Sequence, residues 1–155
     1  MTYPDELENR EPIVAVQGMV LSDVTFDVGE IGTRFFAELR DNKKIYGIEC
    51  RKCKRVYVPP RNSCKECFDK LVDWVEVGDE GTLITFTTVY APVANQPKDP
   101  PFTLGIIQLD GADTGLVHLV EGRDPGRLQP GMRLRAVFRE IREGNIRDIV
   151  HFIPT

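Results

Sequence analysis

The first sustained periodicity in the chain falls between Ile31 and Asp41. Ile31, Phe35 and Leu39 recur at i, i+4 and i+8, and Phe36 widens the stripe. The spacing predicts a short amphipathic helix, with Thr33 as a candidate N-cap and Asn42 as a stop. Two adjacent phenylalanines on so short a helix have to be buried, either on the chain's own β-rich part or on a partner surface. Upstream, residues 1–12 are polar and acidic, contain Pro4 and Pro12, and read as a tail. Residues 13–28 are rich in β-formers but interrupted by Gly18 and Ser22-Asp23, so an extended arm with a short strand is expected there.

From Asp73 onward the pattern changes to alternation broken by turn signals. Trp74 to Tyr90 reads as one long strand region, with Gly78 and Gly81 marking a bend or bulge. Residues 91–101 hold four prolines and read as a polar loop. Further strands are expected over Phe102–Leu109, Thr114–Val120, Arg133–Ile141 and Ile146–Ile153. Turns at Asp110-Gly111, over residues 121–132 and at Glu143-Gly144-Asn145 separate them. In the fourth strand Leu134, Ala136 and Phe138 face inward, and Arg133, Arg135 and Arg139 face outward. Five strands, the first long and bent, suit a small closed barrel of the OB type, and an SH3-like barrel satisfies the same spacing. The expected fold class is mainly β, with a tail and arm over 1–30, a helix plus cysteine module over 31–72, and the barrel over 73–155.

The cysteine module carries the most specific chemistry. Cys50, Cys53, Cys64 and Cys67 stand in the pattern C-x2-C-x10-C-x2-C and use up every cysteine in the chain. Each C-x2-C turn can grip one ion from one side, and two such turns complete a tetrahedral S4 site. A structural zinc ion is the favoured occupant, and iron in the same cage is the rival, because softness and geometry permit both. Two disulfides are disfavoured by the tight pair spacing and by the cytoplasmic location taken as the default. That default rests on an N-terminus without a basic start and apolar stretch, and on the lack of an apolar run of about 20 residues. A redox C-x2-C pair is weaker still. A closed S4 shell leaves no position for substrate, so it is structural rather than catalytic.

Charge changes the picture in one place. The chain has a net charge of −4 and 28% charged residues, yet Lys43 to Lys70 holds nine basic and three acidic residues. That segment is +6 and the remainder is −10. Basic residues here can simply offset the thiolates, or they can form an anion site. No other catalytic set is apparent. His118 and His151 are single strand histidines, and acidic pairs such as Asp79-Glu80 sit in turns. The chain is therefore not expected to be an enzyme by itself. A single-stranded nucleic-acid binder is the alternative function, with Arg133, Arg135, Arg139, Arg142 and Arg147 as its best support. The acidic balance and the few aromatics on polar barrel faces weigh against it. An electron carrier of the rubredoxin kind is a third reading.

The succession of a short helix, YGIECRKCKRVYVPPRNSCKEC, WVEVGDEGTLITFTTV and a strand-rich tail resembles the zinc-ribbon plus OB-fold acyl-CoA-associated proteins. The likeness covers Ile31 to Ile153. It implies a rubredoxin-like zinc ribbon, an OB barrel, and a small accessory subunit in a hetero-oligomer whose chemistry belongs to a thiolase-like partner. It also implies that the chain helps form or gate a coenzyme A or acyl-CoA site. Arg51, Lys52, Arg55 and Arg61 are the candidate phosphate contacts, chosen for charge and position. The arm and overall size are similar to the small subunits of thiolases in anaerobic aromatic degradation, such as benzoylsuccinyl-CoA thiolase. No membrane role is expected.

Overall fold

The computed structural model describes residues 27–92, 96–121 and 125–155. The expected tail and nearly all of the expected arm lie outside these residues. Helix α1 spans Gly29–Asn42, starting two residues before the expected Ile31. Thr33 consequently lies inside the helix and cannot cap it. The carboxylate of Asp27 instead accepts the backbone N–H of Gly29 at 2.8 Å. Lys43, in the left-handed conformation at φ 54, ends the helix, and the Asn42 amide folds back onto the Glu38 carboxylate at 2.7 Å.

Three strands form the ribbon sheet: β1 (Ile45–Glu49), β2 (Val56–Tyr57) and β3 (Asp73–Val77), in the order β2-β1-β3. β1 and β3 are antiparallel, pairing Ile45 with Val77 and Glu49 with Asp73. The five remaining strands are β4 (Glu80–Val89), β5 (Phe102–Leu109), β6 (Gly115–Val120), β7 (Arg133–Phe138) and β8 (Ile149–Pro154). They close into a barrel in the order β4-β5-β6-β8-β7. The closure between β6 and β8 is parallel, at Val120 and Phe152, and is backed by the Glu121 N–H to the Phe152 carbonyl at 2.8 Å. The fold is mainly β with one short helix, a ribbon and a five-stranded OB-type barrel.

The long strand read over Trp74–Tyr90 is two strands in two sheets. Gly78 and Asp79 hand the chain from β3 of the ribbon to β4 of the barrel. The irregularity in β4 lies between Leu83 and Thr85 rather than at a glycine. Gly81 has a different task. A Cβ there would lie 2.4 Å from the Gln108 carbonyl, so its lack of a side chain lets β4 and β5 close. β7 stops at Phe138 and β8 begins at Ile149, because buried Asp148 takes over the intervening backbone. Its carboxylate accepts the N–H groups of Glu143 and Gly144 at 2.9 and 2.8 Å, and Asn145 caps the 3-10 turn 146–148.

One core joins all the parts. Phe35 and Leu39 of α1 pack with Ile45, Val56 and Val77 of the ribbon and with Leu83, Ile107 and Leu134 of the barrel. The paired phenylalanines are therefore taken up within the chain, with Phe36 packed partly buried against the same core. The Arg142 guanidinium donates to the Arg40 carbonyl at 2.6 Å, fastening the β7–β8 connection to the end of α1. Among the described residues, no helix is long and apolar enough to cross a membrane.

His118 sits in this interior, 8% exposed, with its ring edge-on to Phe152. Nε2 donates to the Ile146 carbonyl at 3.2 Å, and Nδ1 has no partner among the described residues. Burial holds its pKa below the usual 6.5, with His151 nearby acting in the same direction. The unfolded chain therefore takes up this proton at a higher pH than the folded one. The stability this group supports is full above pH 6.5 and is lost as pH falls from there through the folded value. We expect the urea midpoint to drop between pH 7.5 and about 5.5, and His118→Leu to flatten that slope. An unchanged slope in the variant would assign the acid sensitivity to other groups.

Candidate metal centre and its basic surround

The two cysteine turns are built alike. In the first, Lys54 N–H bonds to the Cys50 carbonyl at 2.8 Å and Cys50 N–H to the Arg55 carbonyl at 2.9 Å. In the second, Phe68 N–H bonds to the Cys64 carbonyl at 3.1 Å and Cys64 N–H to the Asp69 carbonyl at 2.9 Å. Lys54 and Phe68, each following a second cysteine, both adopt left-handed backbone at φ 59 and 58. This reversal turns both sulfurs of a pair toward the opposite pair.

All four sulfurs lie within 4.8 Å of one another. The Cys50–Cys67 and Cys53–Cys64 sulfurs are 3.3 and 3.5 Å apart. A zinc tetrathiolate with Zn–S near 2.3 Å places sulfurs about 3.8 Å apart, so the cluster fits the ion with small adjustment. Four sulfurs this close cannot all be thiolates unless a cation lies among them. Hydrogen bonds with Cys50 and Cys64 push the Cys67 thiol up to about 12, whereas the Tyr57 hydroxyl draws Cys64 down to about 6. Cys50 and Cys64 are buried, Cys67 is half-buried and Cys53 is exposed. With all four positions filled by protein sulfur, the centre has no place for substrate or water.

Tyr57 was not among the candidates from sequence. It is 1% exposed, its hydroxyl lies 3.2 Å from the Cys64 sulfur, and it also accepts the Lys65 N–H at 3.2 Å. It holds one ligand in place from behind, as second-layer partners of metal ligands do. The signal in the sequence was a tyrosine between valines in an otherwise basic segment, where an aromatic ring has to be buried. Ile48, Tyr57 and Leu71 with Cys50 and Cys64 make up the ribbon's own small core.

The structure places the four predicted phosphate contacts on the ribbon surface, and three already face carboxylates. Arg51 forms a two-pronged pair with Asp73 at 2.6 and 2.8 Å, Lys52 meets Asp69 at 2.7 Å, and Arg55 meets Glu66 at 3.0 Å. Arg61 differs, because its guanidinium lies over the Tyr57 ring at 5.4 Å. The first three pairs are largely exposed and contribute little to stability. On the barrel, Arg133 is gripped by Asp110, and Arg142 spends its donors on backbone carbonyls. Those two arginines are committed within the chain, which weakens the case for a nucleic-acid groove.

Two outcomes follow for the centre. Stripping the metal with a strong chelator should unfold the ribbon, with loss of most of its folding energy, and added Zn2+ should restore it in a 1:1 ratio by metal analysis. Tyr57→Phe should keep the fold but weaken zinc retention about 10-fold in competition with a chromogenic chelator. Equal retention would remove Tyr57 from the ligand support.

Comparison with known proteins places these modules. Residues 38–73 match the model described as the ChsH2 rubredoxin-like zinc ribbon domain, and residues 74–139 match the ChsH2 C-terminal OB-fold domain. A protein called a DUF35 domain-containing scaffold protein from Methanocaldococcus jannaschii is 26% identical over 111 residues, covering 71% of this chain and 78% of that one. A protein of the same description from Pyrococcus furiosus is 25% identical, covering 72% and 80%. A solved structure described as the Ltp2-ChsH2(DUF35) aldolase shares the fold at TM-score 0.58 and 21% identity, over 79% of this chain and 93% of that one. A DUF35-family protein of unknown function from Sulfolobus solfataricus matches at TM-score 0.57 and 29% identity, over 70% and 78%. With both modules present in order and its four cysteines gathered, the chain belongs to the ChsH2-type, DUF35 family of zinc-ribbon and OB-fold proteins.

Proposed function

We propose that this chain is a non-catalytic accessory subunit of a thiolase-type acyl-CoA enzyme, holding a hetero-oligomer together and helping form the coenzyme A site. The observation that carries this reading is the closed tetrathiolate centre. Among the described residues, those four cysteines are the one group suited to hold a metal, and their site has no open position. A chain built on such a centre contributes a rigid platform, and the chemistry falls to a partner. The scaffold description of the two archaeal relatives supports this. So does the solved assembly in which a ChsH2(DUF35) chain is named together with an aldolase. A narrower form of the proposal makes it the small subunit of a thiolase in aromatic breakdown, such as benzoylsuccinyl-CoA thiolase.

For coenzyme A the four basic residues have unequal standing. Phosphates would have to compete with Asp73, Asp69 and Glu66 for Arg51, Lys52 and Arg55. Arg61 makes no ion pair among the described residues and can turn its fork to a phosphate. It is the first residue to test.

Co-expression with a thiolase-fold protein from the same genome should yield one co-eluting complex, and acyl-CoA turnover should require both chains. A thiolase that is stable and fully active alone, with no complex on mixing, would sink the proposal. In the active complex, Arg61→Ala should raise KM for the coenzyme A substrate about 10-fold, as expected for one charge-assisted hydrogen bond. An unchanged KM would take Arg61 off the coenzyme A path.

A further inference from the structure

Beyond Glu80 at the start of β4, the outer wall of the barrel across β4, β5 and β6 carries no charge. None of the positions from Thr82 to Val89, Leu104 to Gln108 or Gly115 to Leu119 is Asp, Glu, Lys or Arg, in a chain that is 28% charged. On the next strand the pattern reverses, with Arg133 and Arg135 pointing outward. Apolar side chains fill the centre of the uncharged wall. Ile106 sits opposite Val117, and Leu104 opposite Leu119, on adjacent antiparallel strands. Ile84, in the irregular part of β4, extends the row. Val117 is 60% exposed, Ile84 46% and Ile106 37%, although each could have been polar without cost to the barrel core. A contiguous apolar centre with neutral surroundings is the composition of an interface core.

Size and curvature select the occupant. Three strands about 4.8 Å apart and roughly 20 Å long offer a face of about 300 Å². A standard interface takes about 800 Å² from each partner. A second copy would bring one convex barrel wall against another, and contact would end at the edges of the face. It would also bring together two chains of the same net charge, −4 each. A concave partner can continue past those edges. We propose that this wall is the docking surface for a concave, apolar and uncharged groove on the thiolase-type partner. The proposal rests on the accessory-subunit reading and names the surface that reading needs. The β5–β6 turn at the end of the wall is tied to the ribbon, where Asp113 accepts the Val56 N–H and Thr114 the Val58 N–H, both at 2.8 Å. A partner seated on the wall is thus coupled to the metal module.

The test is binding of the purified, metal-loaded chain to the co-expressed thiolase-fold protein, read by co-elution and by titration. Val117→Glu with Ile106→Lys should weaken the complex at least 10-fold. Ile141→Glu, at a position 84% exposed and off this wall, should leave it unchanged. If the charged pair lowers the melting temperature, Ile106→Thr with Val117→Thr decides instead, because threonine keeps strand propensity while removing apolar contact. Wild-type binding that neither pair weakens would overturn the docking surface and leave the accessory reading standing. A dimer of the chain alone that the charged pair dissolves would also overturn it, by assigning the wall to a second copy. No complex with wild type would overturn both.

Discussion

Four cysteine sulfurs held within 4.8 Å of one another, which can all be thiolates only around a cation, are the constraint on which the ribbon depends. Their mutual repulsion is tolerable only around a cation, and the backbone is shaped to present them to one. Both turns reverse through a left-handed residue, Lys54 and Phe68, although neither is glycine. Such conformations disfavour side chains by about 1–2 kcal/mol each and persist only where the surroundings compel them. A cation bound by the four sulfurs would supply that compulsion. The ribbon's own apolar core of Ile48, Tyr57 and Leu71 is too small to do so.

The same constraint accounts for the ribbon's charge. Nine basic residues stand in the segment, and the structure shows where several of them act: Arg51 meets a carboxylate at the start of β3, and Lys52 and Arg55 each meet one on the second cysteine turn. These pairs are exposed, so their worth lies in orientation more than in stability. They leave the ribbon with many donors held at fixed positions around a closed centre. An anion approaching Arg51, Lys52 or Arg55 has to displace the carboxylate each already holds.

Much of this could be read from residues alone, because the relevant signals were local. Strict cysteine spacing has one economical geometry, and alternation placed Phe102–Leu109 to the residue. The misplacements share a cause in tertiary structure. Thr33 looked like a cap, but the helix gains its start from Asp27 two residues before Gly29. Ile146 looked like strand, but the buried carboxylate of Asp148 draws 143–148 into a capped turn. Trp74 to Tyr90 looked continuous, because periodicity cannot tell that its two halves pair with different sheets. Tyr57 was missed for the same reason, since its importance lies in a sulfur seven positions away in sequence and 3.2 Å away in space.

The hand-over at Gly78 and Asp79 has a consequence for how such a protein can change. β3 completes the ribbon's sheet by pairing with β1, yet it is covalently the run-in to the barrel's longest strand. A cut at residue 73, where the two matched modules meet, would strip the ribbon of an edge strand and leave that strand dangling from the barrel. Neither piece can be lent to another protein whole. The two modules form a single unit of inheritance, and new partners must be acquired by repainting the outside of an indivisible frame.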